Sequence, residues 1–369
     1  MTIEDARFNA VLDAPLQAAS ASARPIVLYV SNNIPLELIW ACGCFPLQLP
    51  TAPRSDYSRA DRYLEPNFEP MVRSALEQLL RGELDAASLL VLPRTLDAWQ
   101  RLYYYLCELQ RSFGERLPAP FLYDLQQQPS SSSAQYNLES TRLFAAKLQA
   151  LAGVQLTDAA LHASIALYNR IRRELAQLSQ RRHQQPCQLA GADALELITA
   201  TQRQDPRVAA AALRDLNRGT SSATVAGTPT LLVGSAHDSP RLHRAIERAG
   251  GQVVSDFHYR GDWCFGPLVR EEGDPIAVLA EHYHQHSLSS RSYPLPLSAL
   301  LDVAARSGAK AAIFFYYNEE EALTWDYPAQ SAALQSRGLR TLLLPRQSYP
   351  IGAEVDAPLQ AFYAEGSRP

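Results

Sequence analysis

The pattern of apolar and polar residues near the start of the chain predicts a strand, a helix and a second strand. An apolar run over 25–30, PIVLYV, is typical of a buried strand, and the polar turn SNN follows it. The next stretch, PLELIWACG, is typical of a short helix, and it precedes a second apolar run, CFPLQLP. Pro35 suits the first turn of this helix, and Gly43 suits a left-handed position just beyond its end.

The same alternation continues through residue 125. A helical pattern over 70–82 precedes a strand pattern, AASLLVLP. A long helical pattern over 96–114 and another strand pattern, APFLYDL, come next. This part of the chain therefore predicts two successive strand-helix-strand units.

The middle of the chain carries helical patterns only. Residues 126–134, QQQPSSSSA, are polar and of low complexity, which predicts a connection between units. Apolar residues then recur at three- to four-residue spacing over 161–182, and Thr157 with Asp158 is a suitable N-cap for that helix. Further helical patterns end at Gly219.

The last third repeats the scheme of the first. Its strand patterns, separated by helical patterns, are TLLVG, QVVSDF, AAIFFYY and RTLLLP. Alternating strands and helices imply parallel sheets covered by helices on both faces. The sequence therefore predicts an α/β protein with an N-terminal extension over 1–24, a first α/β domain over 25–135, a helical segment over 136–224 and a second α/β domain over 225–369.

The loops after the predicted strands are the first candidates for a functional site. Parallel crossovers are right-handed, and such sheets bind ligands at the carboxyl ends of their strands. Two domains on either side of a helical segment would face a cleft with these loops. The polar residues at the predicted strand ends are Ser31, Asn32, Asn33, Arg94, Thr95, Ser235, His237, Tyr317, Asn318, Glu319 and Glu320.

Charge and composition exclude several classes of function. The 34 basic and 38 acidic residues give a net charge of −4, which provides no electrostatic basis for binding nucleic acid or an anionic membrane. The only lysines, Lys147 and Lys310, each follow an alanine, so neither completes a Gly-Lys-Ser/Thr phosphate loop. Hydrophobic residues make up 47% of the chain, enough for substantial cores.

Cysteine usage and the apolar runs indicate a cytoplasmic protein. The five cysteines contain no CxxC pair, so a disulfide framework is not expected. The N-terminal residues carry acidic and polar side chains where a secretory signal needs an apolar core, and no apolar run approaches about 20 residues.

Several motifs resemble the 2-hydroxyacyl-CoA dehydratase and benzoyl-CoA reductase family, of the 2-hydroxyglutaryl-CoA dehydratase D-component type. The stretch IPLELIWACGCFPLQL resembles the family's "P-x-E-L-I-x-A-x-G-x-x-P" opening. The likeness continues in order through LTDAALHASIALYNRIRREL, PTLLVGS, AIERAGGQVVSDF, DPIAVLAEHY and WDYPAQSAALQSRGLRTLLLP. It covers most of residues 25–365.

The resemblance implies a fold, a cofactor and partners. It implies two flavodoxin-like domains with helical connections, which agrees with the pattern of strands and helices. Members of the family work as dimers of related subunits that hold [4Fe-4S] clusters and act on CoA thioesters. A separate ATP-hydrolysing iron-sulfur activator supplies the electron, which agrees with the missing phosphate loop in this chain.

The sequence departs from the family at the cluster ligands. Cluster-bearing subunits present one thiolate before the helix that corresponds to 70–81, one in a "Cys-Asp" pair after the second strand and one in a "Phe-Cys" pair near the loop before "D-x-P". The corresponding segments here are EPNFEPMV, LPRTLDAW with Leu96 before Asp97, and FFYYNEEEALTWDYP, and none has a cysteine. Because iron-sulfur clusters need thiolates, we expect the usual cluster site to be lost.

Three hypotheses follow for the role of the chain. In the first, it is an atypical subunit that completes the acyl-CoA pocket and the activator's docking surface, beside a homologous subunit that holds the [4Fe-4S] cluster. In the second, Cys42, Cys44 and Cys264 converge and bind a cluster, and the chain is itself a radical dehydratase or reductase. In the third, it is a repurposed binding homologue without radical chemistry.

The candidate site residues are assigned from the strand ends and the family motifs. The candidates for catalysis are Ser31, Glu37, Glu319 and Glu320. The candidates for binding a cofactor or the thioester are Asn32, Asn33, Arg94, Thr95, Asp97, His237 and Asn318. Glu37 has an equally good structural explanation, because a carboxylate at a helix start stabilises the helix dipole. His282, His284 and His286 have metal-ligand spacing, but a solvated helix end explains them better.

Overall fold

The computed structural model describes residues 6–94, 96–219, 225–264, 266–286 and 297–366. Four parallel strands form the first sheet, in the order β2-β1-β3-β4. They are β1 (Ile26–Tyr29), β2 (Phe45–Gln48), β3 (Ala87–Pro93) and β4 (Ala119–Tyr123). Leu28 of β1 pairs with Leu47 on one side and with Leu90 on the other. Because β1 and β3 are central, their apolar side chains are buried on both faces.

The second sheet has the same topology as the first. Its four parallel strands lie in the order β6-β5-β7-β8. They are β5 (Thr228–Gly234), β6 (Gly251–Phe257), β7 (Ala311–Tyr317) and β8 (Arg340–Gln347). The predicted fold class, two flavodoxin-like α/β domains, is therefore confirmed.

Two helices precede the first sheet in the chain, and three more connect its strands. Residues of the N-terminal extension form two short helices, and Ala19 of the second is buried. The helices up to β4 are α1 (Ala6–Asp13), α2 (Pro15–Ser20), α3 (Leu36–Ala41), α4 (Pro70–Leu80) and α5 (Asp97–Phe113). Gly43 takes the expected left-handed conformation after α3, with φ of 78°. Pro35 is the N-cap of α3 and lies one residue before the expected first turn.

The central helices continue directly from the polar connection. They are α6 (Ser131–Ala152), α7 (Asp158–His183), α8 (Gly191–Thr201) and α9 (Pro206–Arg218). The side chain of Thr157 caps α7 as expected, by accepting from the Ala160 N–H. The prediction that 126–134 is all connection was partly wrong. Ser130 caps α6 by accepting from the Ser133 N–H, so the serines after it form the first helical turn.

The remaining helices follow β5 in the chain, and all except the second of them pack around the second sheet. They are α10 (Arg241–Arg248), α11 (Pro275–His286), α12 (Leu297–Ser307), α13 (Tyr327–Ser336) and α14 (Asp356–Gly366). One apolar cluster includes Leu28 and Leu90 of the first sheet together with Leu232 and Ile313 of the second. The two sheets therefore share a continuous core, which fixes the loops at their strand ends relative to each other.

Candidate functional site

A cleft lies between the carboxyl ends of the second sheet and two helix starts of the first half of the chain. Its floor comes from the ends of β5, β6 and β7, and the opposite wall comes from the starts of α4 and α5. The residues that line it include Glu69, Met71, Leu96, Asp97, Ala236, Phe257, His258, Glu320 and Leu323. Of the predicted strand-end residues, Ser235, Tyr317 and Glu320 line this cleft, whereas those after β1 do not.

The carboxyl groups of Glu69 and Glu320 both line this cleft, and the charge of Glu320 acts on Glu69. Glu69 precedes α4 and is half-buried, and its side chain makes no capping hydrogen bond. Burial, followed by the carboxylates of Glu320 and Glu319, raises the pKa of Glu69 to about 8. Burial also raises the pKa of Glu320, whose Oε1 accepts from the Leu323 N–H at 3.0 Å. At neutral pH the pair therefore retains a proton, because two adjacent carboxylates cannot both ionise easily.

The three segments where the family resemblance places cluster thiolates all reach this cleft. They contribute Glu69, Leu96 and Glu320 to its lining. Among the residues that the structure describes, no cysteine lines the cleft. Two carboxyl groups and an alkyl side chain do not provide the soft thiolate ligands of a [4Fe-4S] cluster. The residues present do not fit a cluster at this position.

The cysteines considered as alternative ligands lie in an apolar core. Cys42, Cys44 and Cys264 are all buried in one hydrophobic cluster. Burial raises the pKa of Cys42 to about 12 and that of Cys44 to about 11, and it raises the pKa of Cys264 well above the usual value for a thiol. The structure does not bring the three sulfur atoms into one close set.

The polar residues after β1 connect the two halves of the chain. Asn32 Nδ2 donates to the carbonyl oxygen of Trp263 at 2.9 Å, and Trp263 lies in a short 3-10 helix after β6. Ser31 has φ of 75°, a conformation that is unfavourable for a residue with a Cβ atom, and Asn33 is fully buried. None of the three lines the cleft described here. Their contacts show a structural tie between the halves of the chain.

Glu37 forms a buried ion pair. Its Oε1 lies 2.6 Å from Nη2 of Arg172, and its Oε2 accepts from the hydroxyl of Tyr283 at 2.8 Å. The Ser164 hydroxyl donates to the Glu37 carbonyl oxygen at 2.8 Å. These contacts join α3, α7 and α11, and Glu37 does not line the cleft. The structural explanation accounts for this carboxylate.

The other predicted residues divide between the cleft and its surroundings. Asp97 lines the cleft. Arg94 pairs with both carboxylate oxygens of Asp124 at 3.0 and 3.1 Å. Asn318 is exposed, and its N–H donates to the Gln347 carbonyl oxygen at 3.0 Å. Glu319 acts on the cleft through its charge, while Thr95 lies outside the described residues.

His237 belongs to a buried cluster below the cleft floor. Its ring contacts the rings of His243 and His258, with centroid distances of 5.8 and 5.3 Å. Asp256 completes the cluster, with Oδ1 at 2.6 Å from Nε2 of His243. Burial lowers the pKa of His258 to about 4 and that of His237 well below its usual value. Sequence reasoning identified His237 from its strand end and missed the other three.

The histidines of α11 form no comparable group. The rings of His282 and His286 are tilted relative to each other at a centroid distance of 5.0 Å, and Nε2 of His284 lies 3.1 Å from the Gln128 carbonyl oxygen. In the described part of the chain, the one close set of three metal-ligating side chains is His243, Asp256 and His258.

A family model described as 2-hydroxyglutaryl-CoA dehydratase, D-component, matches residues 32–355. This match covers every described strand except β1, and every segment that lines the cleft. The chain belongs to the 2-hydroxyglutaryl-CoA dehydratase D-component family. It is also similar to the Escherichia coli (strain K12) protein named "Putative dehydratase subunit YjiM", with 26% identity over 282 residues, 70% of this chain and 69% of the relative.

Membership of the D-component family confirms the resemblance found in the sequence. The family match includes the segments with Glu69, Leu96 and Glu320, so the cleft is part of the family's shared region. Across the described residues, no helix combines the length and the apolar character needed to cross a membrane.

Proposed function

We propose that this chain is a subunit of a 2-hydroxyacyl-CoA dehydratase or acyl-CoA reductase complex that holds no cluster of its own. The observation that carries the proposal is the composition of the cleft, which is lined by Glu69, Leu96 and Glu320 and, among the described residues, by no cysteine. Family membership and similarity to a protein named as a dehydratase subunit support the complex. The electron would reach the substrate through a homologous, cluster-bearing subunit and its ATP-hydrolysing activator.

The cleft would complete the pocket for an acyl-CoA substrate. Met71, Leu96, Phe257 and Leu323 give it apolar walls, which suit an acyl chain better than a charged ligand. Loss of a hydroxyl group as water requires a proton. A carboxyl group with a pKa of about 8, such as that of Glu69, still carries one at neutral pH.

A co-purification experiment tests this proposal. The chain is expressed anaerobically, with an affinity tag, together with a homologous subunit that has all three family cysteines. We expect a stable complex whose iron depends on the partner's cysteines and whose dehydratase or reductase activity requires both chains. Absence of a complex with any cysteine-bearing homologue would contradict the proposal.

A second candidate function rests on the acid pair itself. Glu69 and Glu320 form a carboxyl pair with raised pKa values in a cleft, an arrangement suited to general acid-base catalysis without radicals. The chain would then act as a repurposed homologue on its own. Catalytic activity of the isolated, iron-free chain that is lost in Glu69→Gln and kept in Glu321→Gln would favour this function over the first.

A further inference from the structure

Four buried side chains from the β5–β6 region meet below the cleft. His237 follows β5, His243 lies in α10, Asp256 lies in β6 and His258 follows β6. Their exposed fractions are at most 2%. Three imidazoles and one carboxylate so deeply buried require a physical explanation, because burial of a polar group is costly unless it has a partner.

Most ring nitrogens of this cluster have no hydrogen-bond partner among the residues that the structure describes. Both nitrogens of His237, both of His258 and Nδ1 of His243 are buried and unsatisfied. His258 Nε2 lies 3.7 Å from Asp256 Oδ1, too far for a hydrogen bond. Leaving a buried polar atom unpaired costs about 1–3 kcal/mol. Several such atoms in one place indicate that a ligand belongs there.

The ligand atoms have the spacing of a mononuclear metal site. One atom each from His243, Asp256 and His258 lies within 4.8 Å of the other two. In a tetrahedral zinc site the metal-to-nitrogen distance is about 2.0–2.1 Å. Two ligand atoms of such a site are therefore closer to each other than the 4.8 Å found here as the upper limit. The contact between His243 and Asp256 would be exchanged for two bonds to the ion.

The surroundings orient the carboxylate and place it against a buried guanidinium. Arg182 Nη1 donates to Asp256 Oδ2 at 3.1 Å, which leaves Oδ1 facing the histidines. Arg182 also pairs with Asp262, so two carboxylates face one guanidinium. Arg260, which is near His258 in sequence, donates instead to the Leu49 carbonyl oxygen at 3.3 Å. Such hydrogen-bonded carboxylates are typical of metal ligands.

We propose that His243, Asp256 and His258 bind one divalent transition metal ion, with His237 available as a fourth ligand. Two imidazoles and one carboxylate suit Zn²⁺ or Fe²⁺, whereas Mg²⁺ and Ca²⁺ prefer oxygen ligands. Because His258 lines the cleft, the ion would lie directly under its floor. This site is separate from the thiolate positions and goes beyond the proposed function, which requires no metal on this chain.

Metal titration of the full-length chain tests the site. After dialysis against a chelator, the protein is titrated with Co²⁺, whose visible absorption reports tetrahedral nitrogen and oxygen ligands, and bound metal is counted by mass spectrometry. We expect one ion per chain and a rise in Tm on binding. His243→Gln and His258→Gln should each weaken binding by at least about tenfold.

Control variants distinguish this site from others. His162→Gln, in a half-buried histidine on α7, should bind like the wild-type chain. Loss of binding in His282→Gln, with binding kept in His258→Gln, would place the ion on α11 and overturn the proposal. Absence of metal binding to the folded wild-type chain would also overturn the proposal, and this result does not depend on whether the variants fold. The four side chains would then form a metal-free ion-pair network.

Discussion

The carboxyl groups of Glu69 and Glu320 approach the same cleft from two segments that are 251 residues apart in the chain. The charge of Glu320 is the second-largest cause, after burial, of the raised pKa of Glu69. A pair of acids that retains a proton therefore lies in a cleft lined by segments of the family's matched region.

Neutralising Glu320 should lower the pKa of Glu69. In Glu320→Gln the pKa of Glu69 should fall from about 8 toward its ordinary value without reaching it, because burial remains. Carboxyl-carbon NMR of ¹³C-labelled glutamate measures the titration. Glu321→Gln, at an exposed neighbouring position, is the control and should leave Glu69 unchanged. An identical titration in wild type and Glu320→Gln would show that the two groups do not interact.

Stability should decrease as the pH rises through the neutral range. The pKa of Glu69 rises from 4.5 in the unfolded chain to about 8 in the folded protein. Between these values the folded state binds more protons, so the free energy of unfolding falls with increasing pH. Glu69→Gln should remove the contribution of Glu69 to this pH dependence. The change that it causes in the free energy of unfolding should be more favourable at pH 8 than at pH 5, by about 1–3 kcal/mol. Urea unfolding at both pH values provides the measurement, and parallel changes in the two proteins would refute the prediction.

The buried ion pair of Glu37 and Arg172 should be essential for stability. Glu37→Gln leaves the guanidinium buried without a counter-charge, which should cost about 3–5 kcal/mol. Glu139→Gln breaks an exposed pair with Arg142 and should cost less than about 1 kcal/mol. Urea unfolding of the two variants gives the comparison. Equal costs would mean that burial does not decide the strength of these pairs.

The cysteines should differ in their reactivity toward iodoacetamide. Cys42 and Cys44 are buried, and their raised pKa values keep them as thiols at pH 7.5. Cys107 is half-buried, so we expect it to be alkylated first. Mass spectrometry of the native chain measures the order, and the unfolded chain, in which all five should react, is the control. Rapid labelling of Cys42 in the native protein would contradict its position in the core.

The fold could be predicted further than the site. Runs such as PIVLYV and AAIFFYY are apolar throughout because their strands are buried on both faces, so each identifies a central strand of a parallel sheet. The repeated alternation of strands and helices then predicts two similar domains. The serines after Ser130 were harder to assign, because serine favours both loops and helix caps.

The site depends on contacts that local sequence patterns do not contain. Strand ends identified His237 and Glu320, but no local pattern indicates that Asp256 lies near the first or that Glu69 lies near the second. The partner of Glu37 is Arg172, on a helix 135 residues later, and only packing brings them together.

The iron and acid-labile sulfide content of the isolated chain shows whether it holds a cluster of its own. The chain is purified anaerobically without a partner, and both elements are measured per chain after reconstitution with iron and sulfide. Because no thiolate lines the described cleft, we expect a content near zero, unchanged in a Cys42, Cys44 and Cys264 triple alanine variant. A stoichiometric iron-sulfur cluster that the triple variant loses would contradict this expectation.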